Sequence, residues 1–268
     1  MKNDQYALKV GVSDYDRLSL LSGIYLPANT QFLLDHGLIK GIRVADVGCG
    51  PGLISLWLSQ QVGETGHVTA IDNNAEQLAI LKEKIDTQQI KNISLEQVNI
   101  YELGEMGPKF NLIMCRFLLI HLTDPIKALR ELYKTLLPGG KLIVADLDNL
   151  TWYSYPAHKI LRKEAKLLNK AGKLRGIDFS IGPKLPSLLK KAGFNNIDVE
   201  IVQPVLKTPQ QRNYLNMKIK IWGHLYLSNN LISTSELNDL SETMQKLVLD
   251  DNYLIAGARM FQVCGSKM

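Results

Sequence analysis

The chain has 268 residues, 46% of them hydrophobic and 21% charged, which provides the length for a buried core and excludes a disordered, collagen-like or repeat polypeptide. Its apolar runs, such as 112–115 and 117–120, fall far short of the ~20 residues of a membrane span, and Met1-Lys2-Asn3-Asp4-Gln5 leads into no apolar signal segment. Three cysteines, Cys49, Cys115 and Cys264, lack C-x-x-C spacing, which argues against disulfides or structural zinc and predicts a cytoplasmic protein. The net charge of +5 is unevenly placed, because residues 1–150 hold 14 basic and 17 acidic residues while residues 151–268 hold 17 and 9.

Residues 1–40 are expected to form an N-terminal helical segment. Short β-branched or apolar runs follow at 43–48, 67–72, 93–98, 110–116 and 141–146. None alternates strictly, as expected for strands buried on both faces. Helical patterns separate them at 52–60, 75–86 and 124–133. In the last, Thr123 or Asp124 can cap the free amides and Pro125 fits the first turn, while Leu137-Pro138-Gly139-Gly140 stops the helix and turns the chain. This alternation predicts an α/β fold, a doubly wound parallel sheet with helices on both faces.

The second half breaks the rhythm. Residues 155–171 read as an amphipathic helix with Ile160, Leu161, Leu167, Leu168, Ala171 and Leu174 on one side and lysines on the other, and 183–192 as a second helix closed by Gly193. Two more strands are predicted at 195–203 and 256–265, separated by mostly helical sequence from about 208 to 250.

Chemistry concentrates in Asp46-Val47-Gly48-Cys49-Gly50-Pro51-Gly52, which leaves a predicted strand and enters a helix. Ligands of open α/β sheets bind at carboxyl ends of strands, where glycines admit them to the backbone. A dinucleotide fingerprint needs G-x-G-x-x-G, but position 53 is Leu, and the Gly-Lys-Ser/Thr ending of a P-loop is missing. The carboxylate of Asp46 would repel a pyrophosphate and suit an ammonium-bearing ligand. Cys49 reads as a small filler beside no evident base.

This stretch resembles the first motif of class I S-adenosylmethionine-dependent methyltransferases, an acidic residue followed by G-x-G-x-G, and the similarity extends over roughly residues 40–200 with the last strand near 256–265. The resemblance implies a seven-stranded Rossmann-like methyltransferase fold, a mixed sheet with N-terminal helices and helical lid insertions. It implies an N-terminal lid over 1–40 and a cofactor-binding domain over 41–268, with insertions at about 151–180 and 206–252. S-adenosylmethionine would be the cofactor and S-adenosylhomocysteine the product. Asp46, Gly48, Cys49, Gly50 and Gly52 would cradle it. Asp72 would take the ribose hydroxyls with Asn73 beside it, and Asn99 would take the adenine amino group beside Ile100. Arg116 and Phe117 would line the cleft, and Arg17 would face the methionine carboxylate.

Methyl transfer from a sulfonium needs alignment more than an elaborate triad, and a base only where the acceptor arrives protonated. The candidates are His121, by its ordinary pKa, and Asp146 and Asp148 at the end of the fifth strand. Trp152, Tyr153 and Tyr155 would wall a planar or hydrophobic acceptor, although packing under a lid also explains such aromatics. His36, His67, His121, His158 and His224 are scattered without ligand spacing, so no metal is expected.

The window 159–191 holds ten basic residues and two acidic ones, Glu164 and Asp178. It reads as a solvated outer face, or as an attractor of an anionic acceptor, a carrier protein, acidic lipid or nucleic acid. The lack of interleaved aromatics argues against nucleic acid. The sequence thus predicts transfer of a methyl to an O, N or C atom of a small organic acceptor. The alternatives are a protein or RNA methyltransferase docking through 159–191, and a non-catalytic S-adenosylmethionine-binding regulatory protein. Oligomeric state has no signature in the sequence.

Overall fold

Strands β1 (Arg43–Val47), β2 (His67–Asp72), β3 (Ile93–Gln97), β4 (Phe110–Arg116) and β5 (Leu136–Asp148) lie side by side in a computed structural model that describes residues 15–107 and 109–268. The N-terminal part of the expected lid, residues 1–14, lies outside the described residues. Two later strands, β7 (Asn195–Val202) and β9 (Arg259–Ser266), complete a seven-stranded sheet of order β3-β2-β1-β4-β5-β9-β7. Neighbours from β3 to β5 pair parallel, whereas β9 runs antiparallel to both β5 and β7. The sheet is therefore mixed.

Central strands carry apolar residues on both faces because helices cover both. Val44, Ala45, Val68, Ile113, Met114, Val144 and Ala145 have at most trace exposure, and a fully buried aliphatic side chain of this kind contributes about 1.5–3 kcal/mol. The covering helices include α2 (Leu53–Val62), α3 (Ala75–Thr87), α4 (Pro125–Thr135) and α6 (Leu185–Ala192). As the sequence implies, Asp124 caps α4 by accepting from the Lys127 amide at 2.9 Å, with Pro125 in the first turn. The chain moves from β1 outward to β2 and β3, then returns across to β4. The crevice at this reversal, outside the carboxyl ends of β1 and β4, is where such sheets bind ligands.

A second group of helices consists of α1 (Tyr15–Asp35), α5 (Lys159–Leu174), α7 (Pro209–Ser228) and α8 (Thr234–Leu249). Helix α7 packs against α1, α5 and α8. Helix α1 is fixed to the sheet by Tyr25, whose hydroxyl donates to the Ala258 carbonyl at 2.7 Å, and by Asn29, whose Nδ2 donates to Gln262 Oε1 at 2.6 Å.

Three local expectations are corrected. The helix expected from 155 starts at Lys159, because Tyr153–Tyr155 is strand β6, paired antiparallel with β8 (Leu254–Ala256) in a separate two-stranded sheet. The single strand expected over 256–265 is consequently two, broken at Gly257, where the Tyr25 hydroxyl comes within 2.8 Å of the position a Cβ would take. Leu174, assigned to an apolar stripe, is 60% exposed at the end of α5.

Candidate active site

The glycine loop is shaped by what surrounds it. Gly48, Gly50 and Gly52 all have positive φ, at 71°, 51° and 76°, a region L side chains rarely occupy. A Cβ on Gly52 would lie 2.2 Å from Leu81 Cδ1, and one on Gly48 2.8 Å from Leu118 Cδ2, so these two glycines allow close packing. Gly50 differs, because its nearest neighbour would be Gln77 Oε1 at 3.9 Å. It leaves space at the cavity.

Asp72 ends β2 opposite this loop. Its Oδ2 accepts from the Gly50 amide at 2.8 Å and its Oδ1 from the Asn74 amide at 2.9 Å. The cap of α3 is not Asp72 but Asn74, which accepts from the amides of Glu76 and Gln77. Burial raises the pKa of Asp72, opposed by the amides of Asn74, Gly50 and Asn73. A carboxylate has about four acceptor sites. Those three amides leave capacity toward the cavity that Asp72 lines.

Asp46 sits beneath the loop, 2% exposed, and accepts from the Ser55 hydroxyl in the first turn of α2. Burial raises its pKa to about 6, against the lowering effects of Ser55 and of the Arg116 charge. Arg116 extends from the end of β4 to α1, donating from Nη2 to Ser22 Oγ at 2.8 Å and from Nη1 to Asn29 Oδ1 at 3.3 Å. Desolvation lowers its pKa to about 10, offset in part by Asp46, so the guanidinium stays charged at neutral pH. Phe117, with φ of 53°, turns its ring under the Arg116 guanidinium at 5.1 Å and edge-on to Tyr25 at 5.7 Å.

His121 follows β4 and stacks on Trp222 of α7, with ring centroids 6.3 Å apart, while meeting Phe179 edge-on at 5.9 Å. Burial, reinforced by the charge of Arg17, lowers its pKa to about 3. The imidazole is therefore neutral at physiological pH and a weak base. Helix α1 closes over the loop at its first turn, where Lys84 of α3 donates to both the Tyr15 hydroxyl at 3.1 Å and the Pro51 carbonyl at 3.0 Å.

These parts line one cavity that opens to solvent. Of the residues singled out in the sequence, Arg17, Asp46, Gly48, Cys49, Gly50, Asp72, Asn73, Arg116, Phe117 and His121 line it. Gly52 stands just behind, as N-cap of α2. The Cys49 thiol has its pKa pushed well up by burial, which suits a filler.

Other expected residues lie elsewhere. Asn99 Oδ1 accepts from the Tyr101 amide at 3.1 Å, capping a short 3-10 turn that begins with the buried Ile100, and neither residue is among the cavity lining. Asp146 is fully buried, its Oδ2 accepting from the Ile120 amide at 3.3 Å, and desolvation pushes its pKa well up. Asp148 accepts from the Leu150 amide at 3.1 Å and caps the next short turn. Trp152 stacks on Tyr214 at 6.0 Å, while Tyr153 and Tyr155 are 50% and 69% exposed, so none of these three walls the cavity. Sequence reasoning missed Leu21, Ile54 and Gln77 in the lining. Gln77 was discoverable, lying three residues after the helix-capping Asn74 and hence in the same first turn.

A mixed seven-stranded sheet, a glycine cradle with Asp46 beneath it, and Asp72 at the end of the neighbouring strand define a class I S-adenosylmethionine-dependent methyltransferase. Comparison with known proteins agrees. Residues 38–217 match the family model of a methyltransferase domain, and the chain belongs to that family. The chain is 32% identical over 197 residues to the ubiquinone/menaquinone biosynthesis C-methyltransferase UbiE of Vibrio campbellii, a match covering 68% of this chain and 76% of that protein. The UbiE protein of Pseudoalteromonas translucida is 36% identical over 142 residues, where the match spans 53% of this chain and about half, 54%, of the relative. Among solved structures, the YcgJ protein of Bacillus subtilis shares the fold with TM-score 0.61 at 15% identity, covering 89% of this chain and 97% of that one. Phosphoethanolamine N-methyltransferase 2 of Haemonchus contortus, solved with phosphomonomethylethanolamine and S-adenosylhomocysteine, does so with TM-score 0.59 at 17% identity, covering 96% and 58%. The chain is thus an enzyme that transfers methyl groups to a small molecule.

Proposed function

We propose that this enzyme methylates a carbon atom of an electron-rich, hydroxylated ring. The observation that carries this reading is the cavity lining, which includes Arg17, Arg116 with its guanidinium 5.1 Å from the Phe117 ring, and the neutral His121. With Arg17 assigned to the cofactor carboxylate, the Arg116 guanidinium disfavours a cationic amine acceptor and favours an oxygen that carries negative charge on a nucleophilic ring. Leu18, Leu21, Ile54 and Phe117 supply apolar walls for a planar molecule. The choice of carbon over oxygen rests on the relatives, which are named as C-methyltransferases.

S-adenosylmethionine supplies a methyl group on a sulfonium with a good leaving group, and S-adenosylhomocysteine is the co-product. Asp72 and Asn73 would hold the ribose, the loop from Gly48 to Gly50 would take the methionine portion, and Arg17 would pair with its carboxylate. Asp46 fixes the loop to α2 through Ser55. The acceptor would react as its phenolate, its hydroxyl proton lost to solvent beforehand, with neutral His121 hydrogen-bonded to that oxygen and Arg116 stabilising its charge; as the ring carbon bonds to the methyl the S–CH₃ bond breaks, and the ring proton then departs to solvent. Holding the reactants in line supplies several kcal/mol of the barrier reduction.

The test is incubation with methyl-labelled S-adenosylmethionine and a panel of hydroquinones, naphthohydroquinones, phenols and amines. Label is expected in a new C–CH₃ group identified by NMR of the product. A methyl ether or an N-methyl product as the main outcome would overturn the proposal. In calorimetry, Asp72→Asn should weaken cofactor binding about tenfold or more, as expected for loss of a charge-assisted hydrogen bond.

A further inference from the structure

We infer that the ribbon formed by β6 and β8, together with the adjoining face of α5, docks on the surface of an anionic lipid bilayer. Register gives the ribbon two different faces. Ser154 pairs with Ile255, and both are buried, so this face packs inward. Tyr155 pairs with Leu254 and Tyr153 with Ala256, which puts these residues on the opposite face. Val205 extends that face through an antiparallel bridge to Ala256. Tyr153, Tyr155, Leu254 and Val205 are 50%, 69%, 46% and 40% exposed. Four neighbouring apolar or aromatic side chains thus face water on an element that the cavity does not use.

The exposed charge of α5 has one sign, and Asp251, exposed three residues before Leu254, is paired with Arg212 at 3.3 Å. Three residues after Tyr155, His158 caps α5, its amide bonded to Ser154 Oγ at 3.0 Å and its ring 5.7 Å from Tyr253 beside β8. From this point Lys159, Arg162, Lys166, Lys170 and Lys173 recur at three- and four-residue spacing along α5, all exposed. None of them enters an ion pair among the described residues. Lys163, at the edge of this stripe, is near enough to Glu236 of α8 for its charge to help lower the Glu236 pKa. The acidic residue of α5, Glu164, is turned inward and bound to Lys218 at 2.7 Å. Lys207 stands on the other side of the ribbon, two residues after Val205, and is exposed.

Amphipathic aromatics beside a basic stripe match the two layers of an anionic membrane, with tyrosines at the headgroup level and lysines against the phosphates. Four side chains are too few for a stable protein interface, which buries about 1,200 Å² or more. The aromatics are also not interleaved with the basic residues, as a single-stranded nucleic acid would require. The inference is independent of which acceptor is methylated.

Sedimentation of the full chain with vesicles tests it. Vesicles of phosphatidylcholine with one third phosphatidylglycerol should carry the enzyme down at low salt, and pure phosphatidylcholine should not. Lys159→Glu/Arg162→Glu/Lys166→Glu should cut binding on the order of tenfold or more, as should Tyr153→Ser/Tyr155→Ser. In a Tyr155→Trp variant, brominated acyl chains should quench emission, which charge attraction alone would not produce. Absence of sedimentation with anionic vesicles, binding unaffected by both sets of substitutions, or capture by RNA or a protein partner in place of vesicles would overturn the inference. Methylation of soluble acceptors by the same variants should be unchanged.

Discussion

Burial acts on Asp46 and His121 with opposite consequences for pH dependence. Asp46 binds its proton more tightly in the folded chain, at a pKa of about 6 against an ordinary 3.8. Its contribution to stability is therefore present below about pH 4 and is lost as pH rises through 6, by at most about 3 kcal/mol. His121 is held neutral, with its pKa lowered to about 3, so its contribution is present above about pH 6.5 and is lost as acid protonates the unfolded chain. Urea midpoints measured between pH 4 and 7 should separate the two. Relative to the unsubstituted enzyme, Asp46→Asn should gain stability as pH rises, and His121→Asn should lose it. Asp72 and Asp146 shift in the same direction as Asp46, so Asp46→Asn removes only part of the acid-side stabilisation. Parallel profiles for all three proteins would contradict the assigned environments.

At the scale of elements, the glycine loop divides its work between packing and binding. Gly52→Ala drives a methyl into Leu81, at 2.2 Å, from a backbone with φ of 76°, and should destabilise the protein by about 2–3 kcal/mol. Gly50→Ala meets only Gln77 Oε1 at ordinary contact distance, 3.9 Å, and should cost about 1 kcal/mol, yet weaken cofactor binding tenfold or more because the methyl enters the cradle. Thermal melts and calorimetry on both variants read the contrast; equal effects on stability would refute it. This loop and the first five strands were legible because buried parallel strands and a G-x-G-x-G turn are local patterns. Ribbon β6–β8 was not, since three-residue strands are too short to display a period of two, and a helical periodicity beginning at Ile160 extended naturally back to Tyr155. In the site, Asp72 and Arg116 were readable as strand ends. Ser22 and Asn29, which hold Arg116, and Trp222, which backs His121, come from helices distant in sequence whose approach depends on tertiary packing alone.

Across the whole molecule, one buried ion pair connects the basic helix to the helix that backs the site. Lys218 of α7 and Glu164 of α5 are each 2% exposed and 2.7 Å apart, the other carboxylate oxygen accepts from the Tyr226 hydroxyl at 2.7 Å, and the Lys218 ammonium lies 5.0 Å from the Trp152 ring centroid. Trp222 follows Lys218 by one turn, so whatever fixes Lys218 also fixes the surface against which His121 stacks. Lys218→Met should leave Glu164 buried without its counter-charge, costing about 3–5 kcal/mol, whereas Lys218→Met/Glu164→Leu should recover most of that loss by removing both charges. If the pair also positions α7, the double variant should regain thermal stability while retaining a raised KM for the acceptor and a much smaller change in affinity for the cofactor, whose proposed residues, Arg17 of α1 apart, lie on β1, at the end of β2 and on the loop between β1 and α2. Denaturation midpoints and steady-state kinetics of the three proteins measure this separation. A double variant that recovers both properties would reduce the pair to a packing element, and one that recovers neither would assign the role to Tyr226 and Trp152 packed beside it.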